Sequence, residues 1–400
     1  MTLSGTQNAR IDIADILRGL AVMGIVLLHS IEHFNFYSFP DTSTQCSFLN
    51  FTDRAIWNGL FFTFGGKAYA VFALLFGFSF FIQDNNQQKK EKDFRLRFAW
   101  RLVLLFIIGN FNATFFTGEI LVLYSIIGFI LVLVCRLPDR TVLIIAILLL
   151  LQPMEWGKMI YAFCNPDYIP QAGLSGKYFA TAFEVQTNGN FWETARMNLW
   201  DGQLASLTWA WEHGRFFQTA SLFIFGMLIG RKGLFLGSKE NLNFWLKTLV
   251  ISLICYFPLS GLKEMFPDFI NNKTAIRSLV LILQSLANFS FMLILISGII
   301  LIYYNTKAEK LLRKIIPYGK MSLTNYLTQS IIGSMLFYNW GFGLYRHLGI
   351  TYSFCIGIGL FIIQFIFCKW WLKNHQHGPF EWLWKKATWI NIIKKEKITA

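Results

Sequence analysis

Long apolar runs, separated by short polar or basic stretches, follow one another along almost the whole chain. Many approach the roughly 20 residues that a helix needs to cross a hydrocarbon core of about 30 Å. The runs and their breaks predict about ten transmembrane helices, with approximate spans 13–31, 57–82, 98–115, 118–135, 140–153, 216–231, 244–260, 277–304, 319–338 and 352–372. The fifth is the weakest, because its run is short before Pro153 and Glu155. The expected fold is therefore all-α and polytopic. The chain divides into an N-terminal membrane half (1–153), a segment 154–215, a second membrane half (216–373) and a tail (374–400). The 154–215 segment mixes Trp192, Trp200, Trp209 and Trp211 with Glu193, Asp201 and Glu212, a pattern that predicts amphipathic helices at the outer interface.

The first run breaks its own pattern. Within "ILRGLAVMGIVLLHSIEH", Arg18 and His29 are eleven positions apart, about 16 Å along a helix, so position alone cannot bring both to an interface. At about 100° per residue, Asp15, Arg18, His29, Glu32 and His33 fall within an arc of roughly 100°. Ionisable groups at membrane depth are costly and face a protein interior or a wet cavity. This stripe is the candidate site.

Composition strengthens the membrane reading. The 400 residues are 54% hydrophobic and 14% charged, against about 25% charged in soluble domains. The net charge of +14 sits in short patches between apolar runs, which suits topology signals and anionic headgroups better than nucleic acid. Alternate loops carry most of the Lys and Arg, including Lys89 to Arg101 and Lys307 to Lys320, with seven further lysines from Lys369 to Lys397. By the positive-inside rule both termini are cytoplasmic. Residues 83–97 read as a basic loop lying against headgroups. No cleaved signal peptide or lipidation motif is expected. The six cysteines show no metal spacing. Cys46 and Cys164 fall in two predicted exterior loops, as unpaired thiols more readily than as a disulfide.

His29 is the leading candidate base, since an imidazole can take a proton from a hydroxyl or amine as it attacks an acyl carbon. The plain alternative is a structural histidine bonded to a neighbouring helix. Glu32 could orient it, and His33 reads as an interface residue. Arg18, spaced i, i+3 from Asp15 for an ion pair, could bind a phosphate- or thioester-bearing donor or anchor the cytoplasmic end. Lys67 follows Gly65-Gly66 near mid-depth and needs a charge partner or a water-exposed bend. Glu119, at a tight hairpin, could polarise His29 or hold an acceptor; as a helix N-terminal acid it would simply complement the dipole. Arg101 is a topology anchor that also enters the donor-binding set. Gly226 and Gly230 form a GxxxG pair that argues for close packing. There is no P-loop, GxGxxG, HExxH or GxSxG motif, and no metal is expected.

Two resemblances extend this. "YGKMSLTNYLTQSIIGSMLFYNWGFGL" and "HGPFEWLWKKATW", with "GGKAYAVFALLFGFSF" and "TGEILVLYSIIGF", resemble the DUF418 family of bacterial membrane proteins. That family looks related to the transmembrane acyltransferases that include heparan-α-glucosaminide N-acetyltransferase. "RGLAVMGIVLLH" resembles the first helix of acyltransferase-3 proteins, which O-acylate envelope glycans. The resemblance implies His29 as base and Arg18 in the donor site. Many DUF418-like proteins place a His just before a "GDIL"-type motif, where this chain has Asn110 and Asn112.

The expectation is a multi-pass bacterial inner-membrane acyltransferase. Acyl-CoA, foremost acetyl-CoA, would enter from the cytoplasm near Arg18, Lys67 and Arg101, with His29, Glu32 and Glu119 as the catalytic set. The acceptor would be a hydroxyl or amine of an envelope glycan or lipid. A transporter or flippase for a small or lipid-linked solute is the rival reading. Membrane lipids are expected partners, and homodimerisation is open.

Overall fold

The computed structural model describes residues 3–165, 173–266 and 272–390, with side chains of the first helix from Asp12 onward. Every regular element among these residues is a helix. The N-terminal half holds α1 (Leu3–Ile31), α2 (Ser47–Thr63), α3 (Ala68–Gln88), α4 (Arg95–Ala113), α5 (Leu121–Ile127), α6 (Phe129–Val134) and α7 (Asp139–Leu150). Then come α8 (Pro153–Cys164), α9 (Ser175–Asn188), α10 (Phe191–Met197) and α11 (Gln203–Glu212), with a π-helical turn, Asn198–Gly202, between the last two. The C-terminal half holds α12 (Arg215–Arg231), α13 (Lys239–Met265), α14 (Lys273–Asn305), α15 (Glu309–Leu312), α16 (Ile316–Lys320), α17 (Ser322–Phe337), α18 (Ile350–Trp371) and α19 (Pro379–Thr388).

Among the described residues, six helical stretches are long and apolar enough to cross a membrane: Asp12–Ile31, Ser47–Gln88, Arg95–Ala113, Lys239–Met265, Lys273–Asn305 and Ile350–Trp371. A seventh arises if Asp139–Leu150 and Pro153–Cys164, bent by 47°, form one broken span. The other predicted segments are helical but shorter or interrupted. Helices α12 and α17 have 17 and 16 residues, about 25 Å each. Gly128 separates α5 from α6. At the bend between α7 and α8, Gln152 takes a left-handed φ of 59°. Its amide donates to Gly214 O at 3.0 Å and to Ser285 Oγ at 3.1 Å, which ties the break to α12 and α14. The predicted 83–97 loop is shorter than expected: α3 continues to Gln88 and α4 begins at Arg95. Asp84 is buried there and accepts two hydrogen bonds from Arg136, at 2.7 and 3.1 Å.

Helix α1 lies at the centre. In its span 78% of the apolar window is buried, against 11% in α13, which presents its sides outward. It packs on α3, α16, α17 and α18. In lipid, apolar side chains gain little by leaving the solvent, so close backbone approach holds helices together. The α1–α16 crossing depends on Gly319, where a Cβ would sit 1.8 Å from Asp15 O. At the α3–α12 crossing, a Cβ on Gly226 would sit 1.8 Å from Leu74 O. The GxxxG pair therefore packs, as its spacing predicts.

In the 154–215 segment, residues 166–172 lie outside the described residues. Trp192, Trp200, Trp209 and Trp211 are exposed. Cys46 and Cys164 are both exposed and unbonded. Of the seven C-terminal lysines, those at 394, 395 and 397 lie outside the described residues.

Candidate functional site

One end of the bundle encloses a cavity of about 1040 Å³ between α1, α3, α4, α17 and α19. Its lining is aromatic in one part, with Phe72, Phe76, Phe98 and Tyr124, and charged in another. Asp15 and Arg18 face it from α1. Arg18 Nη1 donates to Asp15 Oδ1 at 2.5 Å, and Nη2 donates to Ser79 Oγ at 2.7 Å. Ser79 in turn donates to Leu75 O at 2.6 Å. The guanidinium is thus held from two helices before any ligand arrives.

Arg101 lines the same cavity from α4, its guanidinium carbon 3.5 Å from the Trp384 ring centroid. Four cations, Arg18, Arg101, Lys320 and Lys385, share the lining with two carboxylates, Asp15 and Glu381. Asp15 is committed to Arg18. Glu381 is committed to a helix end: it accepts from Leu323 N at 2.7 Å, Thr324 N at 3.0 Å and Thr324 Oγ1 at 2.5 Å, capping the N-terminus of α17. Among the described residues, Arg101, Lys320 and Lys385 form no ion pair with a carboxylate. The lining therefore has positive charge to offer an anion.

The tail, set apart in sequence from the membrane helices, is a wall of this cavity. Besides the Glu381 cap, Trp384 Nε1 donates to Arg101 O at 3.2 Å, and Trp100 Nε1 donates to Ala387 O at 3.2 Å. Arg97 donates to Thr388 O and Ile390 O, both at 2.9 Å. Lys385 Nζ lies 2.7 Å from His377 Nε2. Burial, followed by the charges of Lys385 and Lys320, lowers the His377 imidazole below its ordinary value. Burial raises the Glu381 carboxyl, against the pull of its hydrogen bonds. Both Lys320 and Trp384 fall inside the stretches that carry the family resemblance.

His29 does not line the cavity. It lies at the other end of α1 with Glu32 and His33, and these three offer ligand-type atoms within 4.8 Å of one another. His33 Nε2 is 3.5 Å from Glu32 Oε1, and Tyr37 OH donates to Glu32 Oε2 at 3.4 Å. The His29 ring lies 4.8 Å from the Phe116 ring and 5.2 Å from that of His33, centroid to centroid. Its Nδ1 is buried with no hydrogen-bond partner among the described residues. His33, read as an interface residue, is thus part of the cluster.

Glu119 touches neither His29 nor the cavity directly, but it lies in the loop between them. Phe116 of that loop packs on His29, while Leu121, just beyond it, lines the cavity. The Glu119 carboxylate accepts from Asn112 Nδ2 and Leu121 N. Lys67 stands apart from both groups. It is buried in the turn between α2 and α3, donates to Phe61 O at 3.2 Å and has its Nζ 5.1 Å from the Phe291 ring centroid. The structure thus brings Arg18 and Arg101 together, brings His29 and Glu32 together, places Glu119 between these pairs and leaves Lys67 outside both.

Residues 229–391 match the family described as "Protein of unknown function (DUF418)". The chain is 27% identical to the uncharacterized protein YxaH of Bacillus subtilis (strain 168), over 98% of each chain. It is 24% identical to an uncharacterized 39.9 kDa protein in the amylase 3' region of Bacillus acidopullulyticus, over 97% of this chain and 98% of that one. With the uncharacterized protein YeiB of Escherichia coli (strain K12) it shares 26% identity, over 94% and 95% of the two chains. No solved structure matches. The chain is thus similar to DUF418 over residues 229–391, and along nearly its whole length to bacterial proteins that are themselves uncharacterized.

Proposed function

We propose that this protein is an integral membrane acyltransferase that takes acyl-CoA into the cavity and passes the acyl group to a hydroxyl or amine near the His29 end of α1. The observation that carries this reading is the cavity itself: an aromatic pocket whose lining includes cations without a carboxylate partner, built on the helix that carries His29. Arg101 and Lys320 take the donor's phosphates, and Arg18, steadied by Asp15 and Ser79, holds the donor below them. The aromatic part takes the uncharged arm, aiming the thioester along α1 towards the Phe116–Glu119 loop. His29 accepts the acceptor's proton as a carbon–oxygen or carbon–nitrogen bond forms. The carbon–sulfur bond breaks, and the departing thiolate takes up a proton. Glu32 positions the imidazole, and the loop bearing Phe116 shifts to let the two ends meet.

In this reading ten helices cross a bacterial inner membrane with both termini in the cytoplasm, so that donor and acceptor arrive from opposite sides. The acceptor belongs to the cell envelope, a glycan or a lipid. The test is direct. Protein purified in detergent is titrated with acetyl-CoA and longer acyl-CoAs, and binding and free thiol release are measured. Arg101→Gln should weaken binding roughly tenfold or more, the loss of one charge-assisted contact worth about 1.5–3 kcal/mol. His29→Gln should keep binding but remove thiol release. Absence of saturable binding to the wild-type protein sinks the reading. The separation of His29 from the cavity favours a second reading, transport of an amphipathic anion; vesicle flux without thiol release would establish it instead.

A further inference from the structure

We propose that His29, Glu32 and His33 form a binding site for one divalent transition-metal ion of the zinc type. Two histidines spaced i, i+4 with a carboxylate at i+3 project from one side of a helix end, and two imidazoles plus one carboxylate is a donor set that zinc accepts with a fourth position left open. Donors held at about 2.0–2.1 Å from a tetrahedral ion are about 3.4 Å from one another. The His33–Glu32 pair, at 3.5 Å, already has that spacing. The three donors lie within 4.8 Å, so His29 needs to close by roughly 1 Å, a side-chain rotation on a fixed backbone.

Two further observations point to a cation. The Nδ1 of His29 is buried with its hydrogen-bonding capacity unused among the described residues, which is costly unless something occupies it. The Glu32 carboxylate is also short of positive charge. Its described partners are the Tyr37 hydroxyl and the His33 imidazole, and no Lys or Arg pairs with it among the described residues. A carboxylate with two imidazoles in an aromatic enclosure of Phe34, Phe116 and Tyr37 suits a dication better than a proton. Cysteine and HExxH spacings are absent from the sequence, which predicts no metal, whereas the ligands here are written H-x-x-E-H.

This goes beyond the acyl-transfer reading and modifies it at one point. With the ion bound, His29 is a ligand and no longer the base: a metal-bound hydroxyl or amine of the acceptor would give up its proton more readily than a free one, and the departing thiolate would take that proton up as the carbon–sulfur bond breaks. The ion site and the donor cavity are separate places and can succeed or fail independently.

The experiment uses the full-length protein in detergent, stripped with chelator, incubated with Zn²⁺ or Co²⁺ and desalted. About one ion per chain should be retained, and Co²⁺ should give the intense visible bands of a four-coordinate site. His29→Gln and His33→Gln should each lower affinity at least roughly 10- to 100-fold, beyond the effect typical of losing an outer-shell partner. Glu32→Gln should lower it less. His375→Gln and His377→Gln, on the far side of the molecule, should leave it unchanged. Acyl-CoA binding, measured on the same variants, reports folding and the donor site separately. Wild-type protein that retains no ion, or an ion retained equally by the His29→Gln/His33→Gln double variant, overturns the proposal while leaving the donor cavity to stand or fall by its own titration.

Discussion

At the scale of single residues, the cavity's behaviour turns on which charges are already spent. Asp15 neutralises Arg18 across 2.5 Å, with Asp15 the more buried partner. Asp15→Asn removes that counter-charge and keeps the shape. Arg18 retains some solvent access, so the cost falls below the 3–5 kcal/mol of a fully buried broken pair and should be about 1–3 kcal/mol, read as a lower melting temperature in detergent. The same change frees a cation towards the cavity, so acyl-CoA binding should tighten while stability falls. A purely structural pair would lose stability with no gain in anion affinity. Glu381 gives a second case. Three donors at the start of α17 converge on its carboxylate. Glu381→Ala should cost about 0.5–2 kcal/mol, as a lost N-cap does, whereas Glu381→Gln keeps an acceptor oxygen and should cost less. The polar stripe on α1 was legible in the sequence because charge inside an apolar run has few permitted locations. The partners of Arg18 and Glu381 were not all legible: Asp15 is three positions away, but Ser79 and Thr324 are reached only through the fold.

At the scale of elements, α19 is docked by groups that titrate in opposite senses. His377 is lowered from its ordinary value of 6.5 by burial and by Lys385 and Lys320. The folded state therefore prefers the neutral ring, and its contribution is full above about 6.5 and fades as the pH drops from there towards the lowered value. Glu381 is raised from 4.5 by burial, so its contribution is full below about 4.5 and fades as the pH climbs through the raised value. The two slopes oppose each other in wild-type protein. Glu381→Gln should leave the histidine slope alone, with hydrogen-exchange protection of α19 falling on acidification from pH 7 to 5. His377→Gln should abolish that fall. Because His377 is only partly buried, the change should be modest. If protection of α19 in Glu381→Gln is flat across this range, the imidazole has no part in docking. Helix crossings admit a harsher test. Gly226→Val puts two methyl groups where even a Cβ would lie 1.8 Å from Leu74 O, and should cost at least the about 1–3 kcal/mol of an overpacked core, seen as reduced yield and melting temperature. Gly261, whose Cβ would meet nothing within 4 Å, is the matched control. The helices themselves were readable from hydropathy, but their breaks were not. Gln152, which sets the α7–α8 bend, is an ordinary polar residue in sequence and acquires its meaning from Gly214 and Ser285.

At the scale of the whole molecule, the tail and the first helix are one device, although the chain separates them by most of its length. Removing residues 375–400 would take Glu381 from α17, Trp384 from Arg101 and the carbonyl acceptors from Arg97 and Trp100. The membrane helices keep their crossings, since Gly319 and Gly226 lie outside the tail, so the truncated protein should still insert and remain helical by circular dichroism. The cavity would lose a wall and two of its lining cations would lose their order: Lys385 outright, and Arg101 through loss of the ring 3.5 Å from it. Acyl-CoA affinity should drop more than in Arg101→Gln alone, because a shaped pocket becomes an open groove, while metal retention at His29, on the other side of the molecule, should be untouched. If the truncated protein binds the anion as well as the full chain does, the cavity is not the donor site, and the cations of α1 and α4 must be assigned to topology instead.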